Sequence, residues 1–215
     1  MDKHQIEMRL RKLLEEARVD FMDVRVGEFH DIEHRGITRL FLRPYCSERI
    51  VELEYQHDPS YDFLEYPEPY QDVCLRHEVC EVLVNGCKWR TIKTFRDAED
   101  YFTLAFIEFL VHREFQSRYE EYVPTYCSKW IWEMERYFKG KLNVKAIESD
   151  IFEAVYNFVA TLVFIPDKLK KKFEEADSID LYNEMHRIIE SFERHYGGNR
   201  DKTYEEKLRL LQLLR

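Results

Sequence analysis

Glycine and proline are scarce in this chain of 215 residues, with six of each. That scarcity excludes a collagen-like, linker-rich or low-complexity architecture. It also makes a phosphate-cradling loop hard to assemble, and GxxxxGK[ST], GxGxxG and GxSxG are all absent. The cysteines, at 46, 74, 80, 87 and 127, are few and odd in number, without a CxxC. They read as reduced, cytosolic thiols, not as a disulfide framework. Basic residues fall short of acidic ones, 33 against 42, for a net charge of −9 and a pI near 5.5. Non-specific nucleic-acid binding runs on phosphate neutralisation by Lys and Arg, so this balance argues against it. The longest apolar run, Ala154 to Ile165, is interrupted by Asn157 and ended by Pro166. It is too short for a bilayer, which needs about 20 residues. Met1 is followed by Asp-Lys-His-Gln in place of a basic and then apolar leader, so no secretory signal is expected. The expectation is a soluble cytoplasmic protein with no membrane or nucleic-acid partner.

Apolar residues make up 45% of the chain and aromatic residues 15%, enough to bury a sizeable core. The length suits one domain, or one with a helical extension. Ile6, Leu10, Leu13, Leu14 and Ala17 repeat at helical spacing, which predicts a helix over 3–17. The period then drops to two. Strands are expected at 24–29, at 37–42 ending by Pro44, and at 49–55, where Val51, Leu53 and Tyr55 alternate with Glu52 and Glu54. Residues 56–69, rich in Pro, Tyr and acid, read as a loop, either a lid over a cleft or an ordinary surface crossing. Beyond Tyr70 the pattern predicts helices at 70–84, 96–121, 125–139, 145–165, 168–175, 178–196 and 203–215, punctuated by Asn85-Gly86, Pro124, Gly140, Pro166 and Gly197-Gly198. The fold class is therefore α+β: an N-terminal helix and a small three-stranded sheet packed on long helices, then a helical C-terminal extension.

The helix predicted near 70–84 is apolar over most of its circumference and should be buried. Its exceptions cluster. His77, Glu78 and Glu81 share one sector of about 100° of arc, and Cys74 lies inside it. An imidazole beside two carboxylates is costly to bury unless the groups are paired or hold a metal. His77 and Glu81, one turn apart, can reach a single ion, and Glu78 would lean over the ion's open position as a general base. The competing reading is a partly buried ion pair between His77 and Glu81. Asp72 and Arg76, also four apart, need no more than an ion pair.

The segment Leu75-Arg76-His77-Glu78-Val79-Cys80-Glu81-Val82-Leu83 resembles the active-site helix of zinc metallopeptidases with the His-Glu-x-x-His signature. The order around it, a helix, a short sheet, the signature helix and a second helix with a glutamate, is similar to that of minimal gluzincin-type peptidase domains. The resemblance covers roughly 1–121. It departs at Glu81, which stands where the second histidine would be. A carboxylate can ligate zinc, although a second anionic ligand lowers the ion's Lewis acidity.

The resemblance implies zinc held by His77, Glu81 and a third ligand, Glu99, on the following helix, with Glu78 as the catalytic base. Glu108 and His112, one turn apart on that helix, are the competing pair; an intrahelical contact also accounts for them. Glu99 could equally serve only the helix dipole. The family's last strand lines the substrate cleft, which would seat a peptide along 49–55 as an added strand. The reading is thus a zincin-like domain over 1–121 and a helical extension over 122–215. Its function would be metal-dependent peptide hydrolysis or metal binding, with a peptide or protein as partner. The alternative is an inactive relative, or an unrelated helical protein, acting as a protein-binding scaffold. Lys168 to Lys172 read as a solvated face, and Tyr126, Trp130, Trp132 and Phe138 as packing.

Overall fold

The computed structural model describes residues 1–29, 42–47, 50–56, 63–85, 98–138 and 151–196. It is mainly helical, with one small sheet. The elements are α1 (Lys3–Glu16), β1 (Asp23–Phe29), β2 (Leu42–Ser47), β3 (Ile50–Gln56), α2 (Glu68–Asn85), α3 (Ala98–Arg118), α4 (Val123–Phe138), α5 (Ile151–Phe164), α6 (Pro166–Glu175) and α7 (Ile179–Tyr196). Among the described residues no helix is long and apolar enough to cross a membrane.

Contacts divide the chain into two compact units, one of 1–93 with 113–129 and the other of 94–112 with 130–215. The boundary expected at 121–122, where the resemblance ends, falls inside the 113–129 segment of the first unit.

In the first unit α1 opens with a capping box. The Asp2 carboxylate accepts from the Gln5 N–H at 2.8 Å, and the Gln5 side chain accepts from the Asp2 N–H at 2.7 Å. Its apolar stripe, Ile6, Leu10, Leu13 and Leu14, is buried, and the helix lies against β1 and α2. β3 pairs parallel with β1, Val24 opposite Val51 and Val26 opposite Leu53, and antiparallel with β2. Those four apolar side chains are buried while Arg25 is exposed, the alternation of a half-buried strand.

The second strand differs from the expected 37–42. It runs from Leu42 to Ser47, with Pro44 inside it, and 37–41 lie outside the described residues. Proline lacks an N–H, so it fits only where one side of the strand needs no donor. The order β1-β3-β2 puts β2 at an edge. The same order leaves β3 flanked on both sides, so the 49–55 strand cannot take an added peptide strand as expected.

The 56–69 stretch is only partly a loop. Residues 63–65 form a 3-10 turn, α2 starts at Glu68, and Phe63 and Tyr66 are buried with ring centroids 5.9 Å apart. Those two aromatics are packing; 57–62 lie outside the described residues. Pro69, Pro124 and Pro166 sit in the first turns of α2, α4 and α6. They begin helices because a first-turn N–H has no intrahelical acceptor to lose.

In the second unit α5 and α7 pack together and α6 packs on both. Phe192 of α7 meets Phe102, Phe106 and Phe109 of α3 with ring centroids 5.6, 5.1 and 5.7 Å away. Phe158 and Phe173 pack edge to face at 5.6 Å. The expected 203–215 helix and the start of the 145–165 one fall outside the described residues.

Candidate metal site on helix α2

Every residue from Val73 to Cys80 is buried, as expected for a helix apolar over most of its circumference. Its polar members are therefore held by specific partners. Asp72 accepts from Arg76 at 2.9 Å, one turn away, and from Arg9 of α1 at 2.6 Å. The Arg76 guanidinium lies 3.6 Å from the Tyr122 ring centroid and 4.9 Å from that of Tyr119. Gln71, fully buried, donates to the carbonyls of Phe63 and Leu64 and accepts from the Met1 amine at 2.6 Å.

The candidate site lies one turn further along. His77 Nδ1 is 3.3 Å from Glu78 Oε1 and 3.7 Å from Glu81 Oε1. His77 and Glu78 are buried and Glu81 is half-buried. One ligand atom from each of the three residues lies within 4.8 Å of those from the other two. Ligands on a tetrahedral ion with bonds of about 2.0–2.2 Å stand roughly 3.4 Å from one another, so this spacing suits a shared ion. The same distances suit an ion pair between a protonated His77 and its carboxylates, and imidazole and carboxylate are both donor types that a divalent cation accepts.

The other nominated residues divide. Glu99 falls in the first turn of α3, and its side chain lies outside the described residues. Glu108 Oε1 is 3.3 Å from His112 Nε2, so the intrahelical contact expected of that pair is present. The His112 ring has no exposure and packs edge to face on Phe164 at 5.4 Å. Neither Cys74 nor Cys80 offers a reactive thiol position at the surface, since both are buried. Burial, with smaller contributions from Glu114, Glu78 and Glu81, pushes the Cys80 thiol far up and keeps it protonated.

One neighbour of the site escaped sequence reasoning. Tyr126 of α4 is buried, as its packing role required, and its ring stacks on His77 at 5.9 Å and 20°. Phe115 stacks on Tyr126 at 4.4 Å, and Lys129 Nζ lies 5.6 Å from the Tyr126 ring centroid. The sequence signal was an aromatic at core spacing on α4, which says nothing of a partner 49 residues earlier. No protein-family model, curated protein or solved structure matches this chain.

Proposed function

We propose that this protein binds one divalent cation through His77 and Glu81 and uses it for peptide hydrolysis. The observation that carries the reading is the convergence of three buried or half-buried donors, His77, Glu78 and Glu81, within 4.8 Å on one helix. Zinc is the first candidate, because the donors are imidazole and carboxylate and the order of elements resembles that of gluzincin-type peptidases. When bound, such an ion polarises a carbonyl and acidifies a water. Glu78 takes the water's proton and returns it to the leaving amine, the role its place beside His77 allows. From the sequence, Glu99 is the nominated third protein donor, with Glu108 and His112 as the alternative.

Elemental mass spectrometry of the tag-free protein beside His77→Ala is the first test. Near-stoichiometric zinc in the wild type, lost in His77→Ala, supports the site. No metal after incubation with zinc overturns it and leaves the second reading, a protein-binding scaffold. With metal present, Glu78→Gln should keep the metal and lose roughly 10²- to 10⁴-fold of any peptide hydrolysis. Glu99→Gln and His112→Ala then identify the third donor by the metal each loses.

A further inference from the structure

A helix buried on nearly every side has no amphipathic face to choose its rotation about its own axis. α2 is such a helix, and its rotation matters. Turning it by about 20° carries an atom at its rim by about 2 Å. Metal–ligand distances tolerate roughly 0.2 Å. A turn of that size would therefore break coordination outright.

We propose that Arg76, held by Asp72, is the positioning residue that fixes the rotation of α2 and so aims His77, Glu78 and Glu81 at one point. The role rests on the metal-site reading above. Arg76 stands about 100° to 200° around the helix from those three residues, so its contacts grip the face away from the site. Its Nε donates to Asp72, which Arg9 ties to α1 at 2.6 Å. Its planar guanidinium covers the Tyr122 ring at 3.6 Å and reaches Tyr119 at 4.9 Å. Two directions are thereby fixed at once, one in the plane of the fork and one along the stacking normal. Lysine would keep the charge for Asp72 and lose the stacked plane.

The test is Co(II) titration of the full chain, read by visible absorption, in Arg76→Met, Arg76→Lys, Asp72→Asn and the core control Val26→Ala. None of these changes removes a ligand. Arg76→Met and Asp72→Asn should weaken Co(II) binding at least about tenfold and alter the absorption bands, as loss of outer-sphere support does elsewhere. Arg76→Lys should fall between them and the wild type, and Val26→Ala should stay within about twofold of the wild type while losing stability. Wild-type affinity in folded Arg76→Met overturns the proposal, as does an equal loss in Val26→Ala. Should Arg76→Met fail to fold, the Lys and Asp72→Asn variants carry the same comparison. If the wild type binds no Co(II), the metal reading fails separately. His77 imidazole NMR signals then decide: displaced in Arg76→Lys and Asp72→Asn but not in Val26→Ala, they keep the positioning role; unmoved, they end it.

Discussion

Asp72 is shared between two guanidinium groups, and its titration records that. Burial pushes its carboxyl up, but the hydrogen bonds from Arg9 and Arg76 outweigh burial and hold it below its ordinary 3.8. A depressed carboxyl contributes stability that is present above its unfolded value and is lost as pH falls through the folded one. Asp72→Asn should therefore cost about 1–3 kcal/mol at pH 7, since it removes a charge-assisted acceptor from the buried Arg76. Urea unfolding should show the gap to the wild type narrowing once the pH drops below about 4. A gap of constant size down to pH 2 would mean that the charge on Asp72 contributes nothing. Arg9 responds in the matching direction, its pKa raised chiefly by the hydrogen bond to Asp72. Tyr119, beside Arg76, is pushed up to about 12, mainly by burial.

Two helices end in the same way without the residue that usually ends them. After α1, Arg18 adopts φ 58°, its N–H donates to Glu15, and the Val19 N–H donates back to Leu14. After α6, Asp177 adopts φ 54°, its N–H donates to Glu174, and the Ser178 N–H to Phe173. Both are Schellman closures with a left-handed residue where glycine is usual. A side chain in that conformation costs roughly 1–2 kcal/mol, and glycine gives part of it back in unfolded-chain entropy. Arg18→Gly and Asp177→Gly should each raise stability by about 0.5–1 kcal/mol, read as a higher denaturation midpoint at unchanged slope. The helix periods were legible because apolar spacing is a local signal. Pro69, Pro124 and Pro166, by contrast, read as loop or break before helices expected from 70, 125 and 168, yet stand inside the first turns of helices that begin at Glu68, Val123 and Pro166. The ends expected at 17 and 175 fall within one residue of those observed, at Glu16 and Glu175. Their left-handed closures were not legible, because the hydrogen bonds that form them are invisible in a sequence without glycine at 18 or 177. β2 was misplaced for a related reason. Pro44 reads as a stop until the sheet order shows that it stands on an edge.

At the scale of the molecule, each unit has its own aromatic centre. In the second, Phe192 joins three α3 rings to α7, and Phe102 also meets Phe152 edge to face at 4.9 Å. Phe192→Ala should cost about 3–5 kcal/mol by chemical denaturation, because four rings cannot collapse into the space of one. A loss under about 1 kcal/mol would show that this aromatic centre does not carry the unit's stability. In the first unit the corresponding stack is His77, Tyr126 and Phe115, which joins α2, α3 and α4 around the candidate site.

The sequence by itself determined the helical content, the burial of α2 and the shared face of His77, Glu78 and Glu81. Each follows from residues a few positions apart, where the helix and strand repeats fix which side chains are neighbours. Only the tertiary structure decided that Tyr126 lies against His77, that Arg9 and two tyrosines grip the other face of α2, and that β3 has no open edge. Those pairings join residues tens of positions apart, and no local period encodes them. Which apolar faces meet is settled by packing the whole chain at once.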